Sequence, residues 1–211
     1  MIDDTRRRPG PASHAEFPVN EAFRREVRER ALEVASRLTV QRGWQQVRFN
    51  EVADEVGVSR PTLYSEFGNK AGLGEALVLA ETTAFLAGLV EALERHPGEL
   101  GAAAKSALHY TVMSATDNPL LHGVLTSAGD ADLLALLASK SGAVLPLVVA
   151  ALIDWFAEHF PDEPRPLLDE LIEALVRLTL SHLIQPTRSL PDTLAALERI
   201  TDLVIEAGKL R

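Results

Sequence analysis

The residues whose types and spacing suggest chemistry lie in one short run, Gly57-Val58-Ser59-Arg60-Pro61-Thr62-Leu63-Tyr64. An arginine can donate two parallel hydrogen bonds to a guanine edge, and a threonine methyl or proline ring can pack on a thymine methyl. Arg60, Pro61, Thr62 and Tyr64 would present such groups from the first turns of one helix. Ser59 is a natural N-cap for that helix, because its hydroxyl can accept the N–H of Thr62 while Pro61 sits where a missing N–H costs little. Catalytic patterns are absent by comparison. The six histidines show no metal-ligand spacing, and there is no nucleophile elbow, phosphate loop or dinucleotide fingerprint. Gly68, Gly72 and Gly74 open a helix with no strand before it. No enzyme activity, metal or cofactor is expected.

Such a helix has to be aimed by its neighbours. A helix-turn-helix needs a small residue where two helices cross, a permissive residue in the turn and an apolar anchor under the second helix. Ala53, Gly57 and Leu63 stand at those three places, and Val58 plugs the corner. Short elements fit Phe49 to Val56 and Thr62 to Phe67. Before them, Val27, Ala31, Val34, Ala35 and Leu38 lay an apolar stripe along a helix from about Glu21 to Gln41, ended by Gly43. The plainer alternative is a tight corner between two helices with a polar outer face.

The run from Gly57 to Leu73, with Tyr64, Phe67 and Lys70 spaced Tyr-x-x-Phe-x-x-Lys, resembles the signature of the TetR family of bacterial regulators. The resemblance covers roughly Glu21 to Leu77, including Gly43-Trp44. It implies a homodimer with two recognition helices in successive major grooves of a palindromic operator. It also implies a C-terminal domain whose small-molecule ligand alters operator affinity, so that the protein acts as a repressor. By position, Tyr64 would meet a phosphate or a base and Lys70 a phosphate; Asn69 and the first N–H groups of the following helix already favour an anion there. One departure stands out: where the family often caps its second helix with Thr or Ser, this chain has Arg48. Either Arg48 reaches a phosphate itself, or Asn50 caps a helix that starts later. Arg28 completes the expected DNA contacts, Arg48, Asn50, Ser59, Arg60, Pro61, Thr62, Tyr64 and Lys70. Arg24, Arg25 and Arg6 to Arg8 are weaker candidates.

Charge is distributed to match. Through Gly72 there are 12 Lys+Arg against 11 Asp+Glu, and beyond it 9 against 19, balances of +1 and −10 within a net −9. An acidic body with a near-neutral end presents that end to a polyanion. The chain lacks cysteine, which fits a reducing compartment, and no apolar run near its start resembles a signal peptide, so a cytoplasmic protein is expected. Its most apolar run, Ala143 to Ile153, falls short of the roughly 20 residues a spanning helix needs, so no membrane partner is expected.

The pattern is all-α, with about nine helices: a polar tail over 1–20, a three-helix helix-turn-helix domain over 21–69, and a ligand-binding and dimerisation domain over 70–211. Beyond the motif, helices fit Lys70 to Arg95, Glu99 to Thr116, Leu120 to Ser127, Ala131 to Phe160 with a break near Gly142 to Pro146, Pro166 to Ile184, and Pro191 to Gly208. The helix from Pro166 is apolar around more than one face. Leu168, Leu171, Ile172, Leu175, Leu178 and Leu183 would therefore pair with Leu194, Leu197, Thr201 and Val204 of the last helix and with their two-fold mates. Phe85, His109, Tyr110, Met113, His122, Leu125, Trp155 and Phe156 are candidates for the walls of an effector pocket. With no apparent Lys/Arg cluster among them, an apolar or aromatic effector is expected. A ligand-independent activator or DNA-organising protein, and a helical carrier or enzyme with a vestigial corner, are the competing readings.

Overall fold

The computed structural model describes residues 17–118, 120 and 144–208. Among the described residues there are eight α-helices, one 3-10 turn and no strand. The helices are α1 (Phe17–Arg42), α2 (Phe49–Val56), α3 (Arg60–Phe67), α4 (Lys70–Glu94), α5 (Leu100–Asp117), α6 (Val144–His159), α7 (Arg165–Ile184) and α8 (Leu190–Gly208). The turn is Trp44–Gln46. Helix α1 starts at Phe17, so four residues assigned to the tail are helical; the rest of that tail and the expected helix at Leu120 to Ser127 lie outside the described residues, Leu120 excepted.

Two cores share α4. The first gathers Ala31, Ala35 and Leu38 of α1, Trp44, Val52 and Ala53, Leu63 and Phe67, and the first half of α4 through Val78. The second starts at Phe85 and joins the rest of α4 to α5, α6 and α7, with Ile200, Val204 and Ile205 of α8 packed against it. Packing thus changes over within α4 between Val78 and Phe85, roughly three turns beyond the expected boundary at residue 69. Helix α4 is long and apolar enough to cross a membrane by length and composition, and here that apolar surface serves both cores.

Where the cores meet, Glu81 of α4 accepts hydrogen bonds from Ser36 Oγ of α1 at 3.2 Å and from Asn118 Nδ2, after α5, at 2.9 Å. Asn118 Oδ1 in turn accepts the N–H of Leu120 at 3.0 Å, and Leu120 is buried in the first core.

Candidate nucleic-acid interface

The turn into α3 is built as its residues require. Gly57 takes φ 79° and ψ 30°, the left-handed region open to glycine at little cost. The N–H groups of Gly57 and Val58 both return to the Ala53 carbonyl, at 3.0 and 3.1 Å, which closes α2 and reverses the chain. Ser59 Oγ accepts the N–H of Thr62 at 3.2 Å and lies 2.7 Å from Thr62 Oγ1. Leu63 is fully buried beneath α3, while Arg60, Pro61 and Tyr64 are exposed and Thr62 is partly so. The Tyr64 ring packs on Phe49, centroids 4.8 Å apart, so it stands out from the surface with its base held.

The start of α2 bears on one of the two readings of Arg48 and Asn50. Helix α2 begins at Phe49, Arg48 occupies the N-cap position without a side-chain cap bond, and Asn50 lies inside the first turn; the expectation that Asn50 caps a later start is corrected. The cap is Glu51, three residues on, which takes a hydrogen bond from the Arg48 backbone and pairs with Arg42. This is half of a capping box, a role that Glu at the third helical position signals. The Arg42 guanidinium, then the backbone hydrogen bond from Arg48, hold the Glu51 carboxyl below the usual carboxylate range. Arg48 and Asn50 are both exposed.

Lys70 begins α4, where Asn69 Oδ1 accepts the N–H of Gly72 at 2.9 Å. Its ammonium donates to the Gln45 carbonyl at 3.0 Å and sits 5.1 Å from the centre of the Trp44 ring. The cation is thus held over the turn that follows Gly43. Arg28 and Arg24 of α1 both pair with Glu66 of α3, at 3.1 Å, an interaction sequence reasoning missed because 38 and 42 residues separate the partners.

Of the expected pocket residues, Phe85, His109, Tyr110 and Met113 line one groove of about 900 Å³ between α4 and α5. Trp155 and Phe156 do not line it. Both are buried in the second core, where the apolar helix α6 packs against α4 and α7, and the Trp155 ring stacks on His159 at 4.0 Å. His122 and Leu125 lie outside the described residues. The groove also holds Arg95, His96 and Lys105, which corrects the expectation of no Lys/Arg cluster near the pocket. Lys105 is paired with Asp202, and Glu81, Asp117 and Glu198 line the groove as well.

The expected dimer residues divide. Leu168, Leu171, Ile172, Leu175, Leu197 and Thr201 are buried within the protomer, so they have almost no side-chain surface left for a partner; the breadth of apolar surface on α7 is used by this chain's own core. Leu178, Leu183, Leu194 and Val204 are half-buried. Ile184 and Leu203, absent from the expected set, are 48% and 64% exposed.

Comparison with known proteins follows these two regions. Residues 31–77 match the model of bacterial regulatory proteins of the tetR family, and residues 99–202 match that of the bacterial tetracyclin repressor C-terminal domain. The chain is 27% identical over 184 residues to the HTH-type transcriptional regulator AlkX of Mycobacterium tuberculosis, covering 87% of each. Its fold is similar to that of the TetR family repressor AlkX from Dietzia, implicated in biodegradation of n-alkanes, with TM-score 0.62, 23% identity and coverage of 85% and 96%. A TetR-family regulator from Rhodococcus gives TM-score 0.62, 21% identity and coverage of 85% and 98%.

Proposed function

The chain belongs to the TetR family of bacterial transcriptional regulators, and from that premise we propose that it is a repressor that binds a palindromic operator as a homodimer and is released by a small, largely apolar effector. The observation that carries the DNA-binding part is the start of α3: a capped, glycine-turned helix on a buried leucine, with Arg60, Pro61, Thr62 and Tyr64 clustered at its solvent end. In a helix-turn-helix this end enters the major groove, and two-fold half-sites call for two copies. Arg48, Asn50 and Lys70 would meet backbone phosphates around it. The exposed Ile184 and Leu203, together with the half-buried Leu178, Leu183, Leu194 and Val204, supply the apolar surface on α7 and α8 for a second copy.

The test is fluorescence anisotropy with DNA from upstream of the protein's own gene, across a salt series. Tight binding that resists competitor DNA and weakens with salt is expected. Tyr64→Ala should weaken it about tenfold, the scale of one hydrogen bond to a charged group. Binding that is equally weak on any DNA and indifferent to Tyr64 would overturn the reading.

The groove between α4 and α5 is the proposed effector site. Phe85, Tyr110 and Met113 give it apolar walls, and the basic and acidic groups at its margins suit a hydrocarbon chain with one polar end. The name and role of the Dietzia relative support an alkane-like class. Gly88 bears on this, because a Cβ there would stand 2.2 Å from the Tyr110 hydroxyl. Gly88→Leu should therefore displace Tyr110 into the groove. We expect it to leave operator affinity unchanged while abolishing release by a series of medium- and long-chain alkanes, alcohols and carboxylates; release as in wild type would place the effector elsewhere.

A further inference from the structure

We infer that Glu66 is a positioning residue for DNA binding, a largely covered carboxylate that fixes two arginines of α1 against the backbone beside the recognition helix; the inference rests on the DNA-binding reading above. Glu66 is an unexpected residue at this place, since a carboxylate next to a DNA-binding surface repels the polyanion. Its side chain is only 9% exposed. The fold of α3 does not require it, because Leu63 and Phe67 anchor that helix in the core. What Glu66 does touch is specific. Oε2 accepts from Arg24 Nε at 3.1 Å, with Nη2 of the same guanidinium in ion-pair contact at 3.1 Å, and Oε1 accepts from Arg28 Nη1 at 3.1 Å. The Arg28 guanidinium also lies 5.2 Å over the Phe67 ring.

These contacts use a minority of the donors available. A guanidinium carries five N–H groups in a rigid fork, and the two side chains remain 61% and 41% exposed. Arg24 and Arg28 stand one turn apart on one face of α1, so one carboxylate holds both heads side by side along the flank of α3. A helix seated in a major groove about 12 Å wide has a phosphate backbone on each side. Two ordered guanidiniums at its flank meet one of those backbones without the loss of rotamer freedom that a loose arginine suffers on binding. The trio keeps a net positive charge, so the acid orders the arginines and does not cancel them.

The electrostatic and positioning roles of Glu66 predict opposite signs. Removing a negative charge near DNA should tighten binding; losing two ordered phosphate contacts should weaken it. Anisotropy would be measured on specific and unrelated duplexes over a salt series for the full-length wild type, Glu66→Gln, Arg24→Ala/Arg28→Ala, the triple variant and Tyr64→Ala. Glu66→Gln is expected to bind about tenfold more weakly near 0.1 M salt on both duplexes alike. Its plot of log affinity against log salt should be shallower by about 1 to 1.8, the counterions of one to both of the phosphate contacts whose arginines it leaves unheld. Added to the arginine double variant, it should cause no further loss and, by removing a charge that repels DNA, should leave binding equal or slightly tighter. Tighter binding by Glu66→Gln alone with an unchanged slope, or an equal loss in the arginine-free background, would overturn the proposal. If Glu66→Gln melts early, Arg24→Ala/Arg28→Ala carries the test alone: its slope should fall by about 1.8, and an unchanged slope overturns the inference. Wild type that shows no preference for the specific duplex overturns the DNA-binding reading and this one with it. Sensitivity to Tyr64→Ala without sensitivity to Glu66→Gln overturns only this one.

Discussion

Trp44→Ala should cost the N-terminal core about 3–5 kcal/mol, the range for truncating a buried large aromatic. Trp44 is 1% exposed and is the largest of the fully buried side chains in that core. It enters the core because Gly43, at φ 82° and ψ 151°, turns the chain at the end of α1 in a conformation other residues avoid. The loss would not stop at stability. The ring lies beneath the Lys70 ammonium, and the adjacent Gln45 carbonyl holds the same group. Urea melts followed by fluorescence separate the two consequences, since Trp155, the other tryptophan, reports on the second core. In Trp44→Ala that probe should show nearly the wild-type transition, while helical circular dichroism gains an early phase. A single late transition would mean that the site collapses around the missing ring.

Arg60→Ala should act in the opposite sense, reducing operator affinity by up to about a hundredfold while leaving the fold as stable or slightly more so. Arg60 is the first residue of α3, where the helix dipole disfavours a cation by roughly 0.3–1 kcal/mol. Among the described residues it has no ion pair to offset that. A bidentate arginine contact to a base contributes roughly 1–3 kcal/mol of discrimination. The loss should therefore be concentrated at one base pair in each half-site, seen as relaxed preference there when single-position operator variants are titrated. Uniform weakening at every position would make Arg60 a phosphate contact instead, and a drop in melting temperature would give it a structural role.

The motif was legible in the sequence because its determinants are local. The Ser59 cap, the Gly57 turn, Ala53 and Leu63 all act within a few residues of one another, and each has one conformation in which it makes physical sense. Glu51 carries a local signal as well, since a carboxylate at the third position of α2 can complete half of a capping box. Long-range pairing left no comparable trace. Nothing in the spacing of Arg24, Arg28 and Glu66 distinguishes an ion-paired cluster from three solvated side chains, because the contact depends on how α1 lies against α3. The same limit explains the dimer residues. An apolar face on α7 reads alike whether a second copy or this chain's own α6 and α8 cover it, and only burial of Leu168, Leu171 and Leu175 within the protomer separates those cases. Trp155 and Phe156 lie in the second core and not along the groove, and the sequence does not separate those places, since aromatic residues line pockets and fill cores with equal ease.

Leu120 gives the N-terminal unit an unusual boundary. Its core is completed by a side chain that arrives after α5, far along the chain from Val78, the last residue α4 contributes to it. A segment cut anywhere between α4 and residue 120 would carry every base-reading residue and still leave a hole in its own interior. The reading head of this protein is therefore not an exchangeable cassette. Grafting it onto another sensor, by recombination or by an engineer, would require the recipient to bring an apolar side chain of its own to the same gap.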